Sequence, residues 1–244
     1  MDRNDPAHHE RDRAAPGPLP AQRRVLAVVM TVAAVPLVTL WALVSAQWGP
    51  VVSLDRAIAV SLYEFVLPAP DLAHGVELWS ETFGTWSMRI VSLLAACWLL
   101  LRRQFSTAAW AAATVFLANL FGLILKLTVD RPRPGFAEPL ATGVGPSFPS
   151  GHALMAATGM GILLFATLPL LRDRFHPIAW TVATAIALST ALSRPLLAVH
   201  WVSDIAAGLA LGVFTLAATM LLWTFLPPIA RRWDRPSRGP SPGA

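Results

Sequence analysis

Three segments of this 244-residue chain hold the side chains whose types and spacing can do chemistry. The first carries Lys126, Arg131 and Arg133, followed by Pro134, and Arg194 adds a further cation downstream. Acids close to them in the sequence are few, Asp130, Glu138 and Asp204, so cations are in excess. Such an excess predicts an anionic ligand, and the planar fork of arginine suits phosphate because it offers two parallel N–H donors. Basic residues at the end of an apolar helix also snorkel toward headgroups, so the cations alone fit both uses. Lys126 is the single lysine among nineteen basic residues.

The second segment, Pro146-Ser147-Phe148-Pro149-Ser150-Gly151-His152, directly precedes an apolar run. Ser150 suits a helix N-cap. Gly151 leaves the backbone bare, so the free N–H groups of the first turn, backed by the helix dipole, can hold an anion. Standing alone, the segment reads as a capped helix with an interfacial histidine. In the third segment, Ser193-Arg194 precedes His200 and Asp204. Four residues apart on a helix, these two share a face, and the carboxylate can accept the proton of one ring nitrogen. The tautomer is then fixed and the other nitrogen's lone pair is free to attack, the logic of a catalytic triad transferred to a histidine nucleophile. An aspartate near the start of a span also serves as a plain helix-dipole partner.

Membrane helices must position these groups. The chain is 55% hydrophobic and 14% charged, with a mean hydropathy of +0.55, too apolar for a soluble domain of this size. Apolar runs at about 25–48, 86–101, 106–128, 151–171, 177–192 and 200–226 read as spans, a bilayer core taking roughly 20 helical residues. The expected fold is therefore all-α, a polytopic membrane bundle of six transmembrane helices. An interfacial helix is expected between the first two spans, because Leu54, Ile58, Leu62, Phe65 and Val66 share a helical face while Asp55, Arg56 and Glu64 lie off it. Gly208 with Gly212, and Ala153 with Ala157, have the spacing that lets membrane helices approach closely.

Residues 1–24 and 227–244 are polar and without apolar periodicity, and are read as disordered cytoplasmic tails around one 25–226 domain. Val44-Ser45-Ala46 resembles a signal-peptidase site, but the apolar run before it exceeds the roughly 7–15 residues of a signal sequence, so the first span is read as an uncleaved anchor. Most basic residues lie in the tails and in the 102–103 and 172–174 turns; the remaining six are Arg56, Arg89, Lys126, Arg131, Arg133 and Arg194. The positive-inside rule then puts both termini in the cytoplasm and the chemical segments at the outer face of a cell membrane. The formal charge of +5 follows this pattern and does not indicate nucleic acid. Trp48, Trp86 and Trp201 on one side, with Trp223 and Trp233 on the other, fit interfacial belts as well as ordinary lipid-facing aromatics. Cys97, the only cysteine, allows no intrachain disulfide and no thiolate metal cluster.

Taken together, Lys126-x6-Arg133-Pro134, Pro149-Ser150-Gly151-His152 and Ser193-Arg194-x5-His200-x3-Asp204 resemble the motif set of the type 2 phosphatidic acid phosphatase (PAP2) superfamily, whose soluble relatives include vanadium haloperoxidases. The resemblance covers about 25–226. It implies a membrane phosphatase that hydrolyses a lipid phosphate or isoprenoid diphosphate through a phosphohistidine on His200, with His152 as acid and base and Asp204 orienting His200. Lys126, Arg133, Ser150, Gly151 and Arg194 would hold the phosphoryl oxygens, with no metal and no cofactor. The implied partners are the lipid phosphate and membrane lipids, with an isoprenoid diphosphate favoured by family analogy. Competing readings are a lipid phosphotransferase using the same intermediate, and a transporter or non-catalytic lipid-binding protein, although a transporter needs no paired histidines. Haloperoxidase chemistry on vanadate fits poorly with six spans. The 53–85 stretch is expected to border the lipid entry path.

Overall fold

The computed structural model describes residues 20–225, so most of both expected tails lies outside the described residues. Helices α1 (Pro20–Ser45), α2 (Gly49–Val66), α3 (Pro70–Thr82), α4 (Thr85–Leu101), α5 (Phe105–Val129), α6 (Gly151–Thr167), α7 (His176–Leu196) and α8 (Val202–Phe225) follow one another, and the described residues contain no strand. Six stretches are long and apolar enough to cross a membrane: Ala21–Ser45, Pro70–Leu101, Phe105–Val129, Gly151–Leu170, Asp173–Leu196 and Val202–Phe225. The second starts earlier than the sequence suggests, because α3 and α4 follow each other with only Phe83 and Gly84 between them. Helices suit a bilayer because each satisfies its own backbone groups.

Between the first two stretches the chain forms one helix, α2, which spans the residues expected to be helical there. α2 divides its residues unevenly between protein and surroundings: Leu54 is 60% exposed and Phe65 63%, Ile58 and Leu62 are half-buried and Val66 is buried, and of its charged residues Asp55 is 3% exposed while Arg56 and Glu64 are exposed. Where the surroundings are lipid, the ordinary rule inverts. Apolar side chains cover the outside, and a polar one goes inward to a partner.

α6 is the axis of the bundle, packed by α4, α5, α7 and α8, and every residue from Ala153 to Gly159 is buried. Its contact with α8 depends on small residues. A Cβ on Gly208 would lie 2.6 Å from the Ser150 carbonyl oxygen, and one on Gly212 would lie 2.8 Å from the Ala157 Cβ. This close approach brings the start of α8 beside the start of α6, where Ser150 N–H donates to the Asp204 carbonyl at 3.0 Å. α1 packs along α8, and Arg23 donates to the Thr224 carbonyl at 2.8 Å. Both described chain ends therefore meet at one end of the bundle, while Asp204 lies at the other end of α8.

Candidate active site

The C-terminal ends of α3, α5 and α7 and the N-terminal ends of α4, α6 and α8 supply the residues at that far end. α5 stops at Asp130, whose left-handed backbone (φ 42°, ψ 43°) ends the helix, and the prolines of Arg131-Pro132-Arg133-Pro134 prevent its restart. The chain then loops to Ser147, whose N–H donates to the Arg131 carbonyl at 2.8 Å. α6 begins as expected at Ser150, whose hydroxyl accepts from Ala153 N–H at 3.4 Å. Its first-turn amides, including Gly151, have no partner within the helix.

His200 is not on a helix. It lies in the turn before α8, and its link to Asp204 arises from helix capping rather than from a shared helical face. Asp204, in the first turn of α8, reaches back to accept the Trp201 N–H at 2.9 Å, half of a capping box. Its Oδ2 thereby lies 3.4 Å from His200 Nδ1. The Ser147 hydroxyl, a residue the sequence did not single out, donates to the same Oδ2 and lies 3.3 Å from Nδ1. Asp204 thus caps its helix and faces the histidine at once.

On the other side of the ring, Arg133 Nη1 is 2.9 Å from His200 Nε2 and donates to the Val199 carbonyl at 2.7 Å. A guanidinium only donates, so Nε2 is the acceptor and the proton sits on Nδ1, facing Asp204. The ring has the tautomer a nucleophile requires, its free lone pair directed at a cation. Arg133 is fixed by bonds to the Gly145 and Val144 carbonyls at 3.0 and 3.1 Å. Gly143 gives it room: a Cβ there would come within 2.9 Å of the Arg133 Cδ.

Lys126 donates to the Pro146 carbonyl at 2.6 Å and feels the charges of Arg133 and Asp204. Arg194, 3% exposed, donates to Ser80 Oγ at 2.8 Å and lies 3.7 Å from Glu81 Oε1; its Nε is buried without a partner. His152 sits with Nδ1 3.3 Å from Thr85 Oγ1 and Nε2 3.4 Å from Glu81 Oε1, a distance without hydrogen-bond geometry, so Nε2 also lacks a partner. The charges acting on His152 come from Arg194, His200, Arg133 and Lys126. All eight residues singled out from the motifs therefore lie at one end of the bundle, with His152 among the cations.

Arg131, counted among the excess cations of the first segment, is not left open to an anion. Its Nη1 and Nη2 each pair with a carboxylate at 2.7 Å, Asp204 and Asp55. Ser80, Glu81 and Thr85 come from the α3–α4 junction, where a Cβ on Gly84 would lie 2.8 Å from the His152 ring. None has a sequence pattern that marks it, since each is a single polar residue far along the chain from its partner. Cys97 is exposed on α4, remote in sequence from the site. A cavity of about 680 Å³ lies beside the site, lined by α1 and α2 residues such as Val44, Val52 and Val60, by residues 129–132 and 134–136 and by Trp201. None of the eight motif residues lines it.

Fold and site together define a multi-pass helical membrane protein with a cluster of cations around two histidines. The PAP2 superfamily profile matches residues 107–227. Phosphatidylglycerophosphatase B of Bacillus subtilis (strain 168) is 36% identical over 98 residues, covering 39% of this chain and 47% of that protein, about half its length. The decaprenylphosphoryl-5-phosphoribose phosphatase of Mycobacterium tuberculosis, in strains CDC 1551 and H37Rv, is 32% identical over 165 residues, covering 65% of this chain and 84% of that protein. Among solved structures, a transmembrane PAP2-type phosphatidylglycerolphosphate phosphatase from Bacillus subtilis superposes with a TM-score of 0.67 at 25% identity, over 76% of this chain and 93% of that one. The chain belongs to the PAP2 superfamily.

Proposed function

We propose that the protein removes a phosphate group from a lipid-linked phosphate by way of a phosphohistidine on His200, without a metal ion. The observation that carries this reading is the setting of His200: Nδ1 backed by Asp204, and Nε2 in its acceptor form beneath Arg133. Arg133 first exchanges its bond to Nε2 for a phosphoryl oxygen. The Nε2 lone pair then attacks phosphorus while the ester P–O bond breaks, and His152 gives its proton to the leaving oxygen. In the second half, His152 takes a proton from water, the water oxygen bonds to phosphorus, and the P–N bond breaks to free His200 and inorganic phosphate. The unpaired Arg194 Nε, with Lys126, Arg133, the Ser150 hydroxyl and the Gly151 amide, supplies donors to the oxygens as charge builds on them. These cations take the electrostatic role a metal would have.

The positive-inside distribution supports placing both termini in the cytoplasm and this pocket at the outer face. The named relatives act on phosphatidylglycerophosphate and on a decaprenyl-linked phosphoribose, so a terminal phosphate on a lipid headgroup is the favoured substrate, ahead of an isoprenoid diphosphate. The test is a panel of phosphatidylglycerophosphate, phosphatidic acid and an isoprenoid diphosphate, each assayed in detergent with a chelator present. Release of phosphate from at least one supports the reading. Appearance of phosphorylated acceptor with little free phosphate would turn it toward phosphotransfer.

The lipid portion is assigned to the 680 Å³ cavity beside α2, in keeping with an entry path bordered by the 53–85 stretch. Filling it by Val60→Trp should raise KM for long-chain substrates by about tenfold, the loss of a few buried methylenes, and leave that for para-nitrophenyl phosphate unchanged. An equal change for both esters would refute the assignment.

His200 also sets a pH dependence. Burial is the main cause that pushes its pKa down to about 4; Asp204 opposes the shift, and Arg133 and Arg194 add to it. The attacking lone pair is thus present from neutral pH down to about pH 4, and the acid limb of kcat/KM due to this ring should fall well below the ordinary value near 6.5. Two esters whose phosphates titrate differently separate this limb from that of the substrate. The sign for stability follows. Between roughly pH 6.5 and 4 the unfolded chain takes up a proton that the folded one refuses, so melting temperature should fall across that window.

A further inference from the structure

α2 reaches the nucleophile through one carboxylate. Asp55 accepts from Arg131 Nη2 at 2.7 Å, from Ser203 N–H at 3.0 Å and from the Ser203 hydroxyl at 2.5 Å. Arg131 Nη1 donates to Asp204 Oδ1 and to Ser203 Oγ, each at 2.7 Å. Asp204 Oδ2 is left to the Ser147 hydroxyl, Trp201 N–H and His200 Nδ1. Asp55 and Asp204 are almost fully buried, so these charges have no competition from solvent.

The preferred geometry of an arginine with a lone carboxylate is the fork, two parallel N–H groups on the two oxygens. Here Arg131 does not adopt it, since its second nitrogen is held by Asp55. We propose that Asp55 is a positioning residue for the reaction: by engaging one arm of Arg131, it confines that side chain to Oδ1 of Asp204 and keeps Oδ2 for His200. Without Asp55, Arg131 closes on both oxygens, Oδ2 is drawn from Nδ1, and the ring loses the partner that fixes its tautomer. The inference rests on His200 being the nucleophile.

The experiment is a double-mutant cycle with phosphatidic acid in micelles, and with inorganic phosphate as inhibitor to report on the pocket. Asp55→Asn removes the charge at nearly constant shape and should lower kcat by about 10–100-fold, the cost of a misplaced nucleophile, with KM and phosphate inhibition within about threefold of wild type. Arg131→Lys provides the second arm, because an ammonium cannot fork; in that background Asp55→Asn should cost less than about threefold. The same large loss in both backgrounds would overturn the proposal, as would an Asp55→Asn enzyme with unchanged kcat. Loss of phosphate inhibition together with activity would overturn it too, by making Asp55 a residue of the fold. A wild type without hydrolysis, or hydrolysis surviving His200→Ala, would instead overturn the functional reading and the inference with it.

Discussion

His200→Ala should abolish turnover, with phosphate release from phosphatidic acid falling by a factor on the order of 10⁴–10⁶, as when a nucleophile acting within a catalytic unit is removed. The size follows from the absence of a substitute. Among the described residues, Lys126, Arg133 and Arg194 only donate, Ser147 is turned toward Asp204, and no other acceptor nitrogen lies against Arg133. Phosphate binding should survive, because His200 is uncharged at neutral pH and every cation remains; inhibition by inorganic phosphate should change by less than about threefold. Wild-type enzyme quenched during turnover should carry acid-labile phosphate on histidine, and the variant none. Turnover persisting in His200→Ala would remove the nucleophile from the scheme, while loss of phosphate inhibition as well would mean that the pocket had collapsed.

The sequence carried the candidate catalytic groups more fully than their supports, and the difference is physical. Lys126, Arg133, Arg194, His152 and His200 stand out because charged or titratable groups in or at the ends of apolar runs are costly and need a reason to be there. Ser150 stands out because a serine ahead of a glycine and an apolar run has the chemistry of a cap. Asp55 gave the opposite signal. It lies off the apolar face of α2, which reads as a solvated side, yet Asp55 is buried against Arg131 while its charged neighbours Arg56 and Glu64 stay exposed. Ser147 and Glu81 had no signal at all, since their partners Asp204, His152 and Arg194 are brought to them only by tertiary packing. His200 was paired with Asp204 for a partly mistaken reason. The four-residue spacing to Asp204 works because an aspartate in the first turn reaches back over the cap, not because both residues ride one helix.

Asp204→Asn should lower kcat by about 10³–10⁴-fold, close to the effect of the corresponding change in a serine-protease triad. Every partner of the Asp204 carboxylate is a donor: Arg131 on Oδ1, and the Ser147 hydroxyl, Trp201 N–H and His200 Nδ1 around Oδ2. An asparagine can offer only one oxygen to this set, and its NH₂ group must face donors. If the amide oxygen stays with Arg131, the NH₂ group turns toward His200 and Nδ1 becomes the acceptor. The ring proton then moves to Nε2, which faces the Arg133 guanidinium at 2.9 Å, so two donors oppose each other and no lone pair is left for phosphorus. Stability should fall less than activity, by about 1–3 kcal/mol, because Arg131 keeps its pairing with Asp55 and only the hydrogen bonds to one oxygen are lost. Phosphate inhibition and melting temperature measured beside kcat separate these effects. A variant that melted far below wild type and bound no phosphate would locate the role of Asp204 in capping α8 rather than in setting the tautomer of His200.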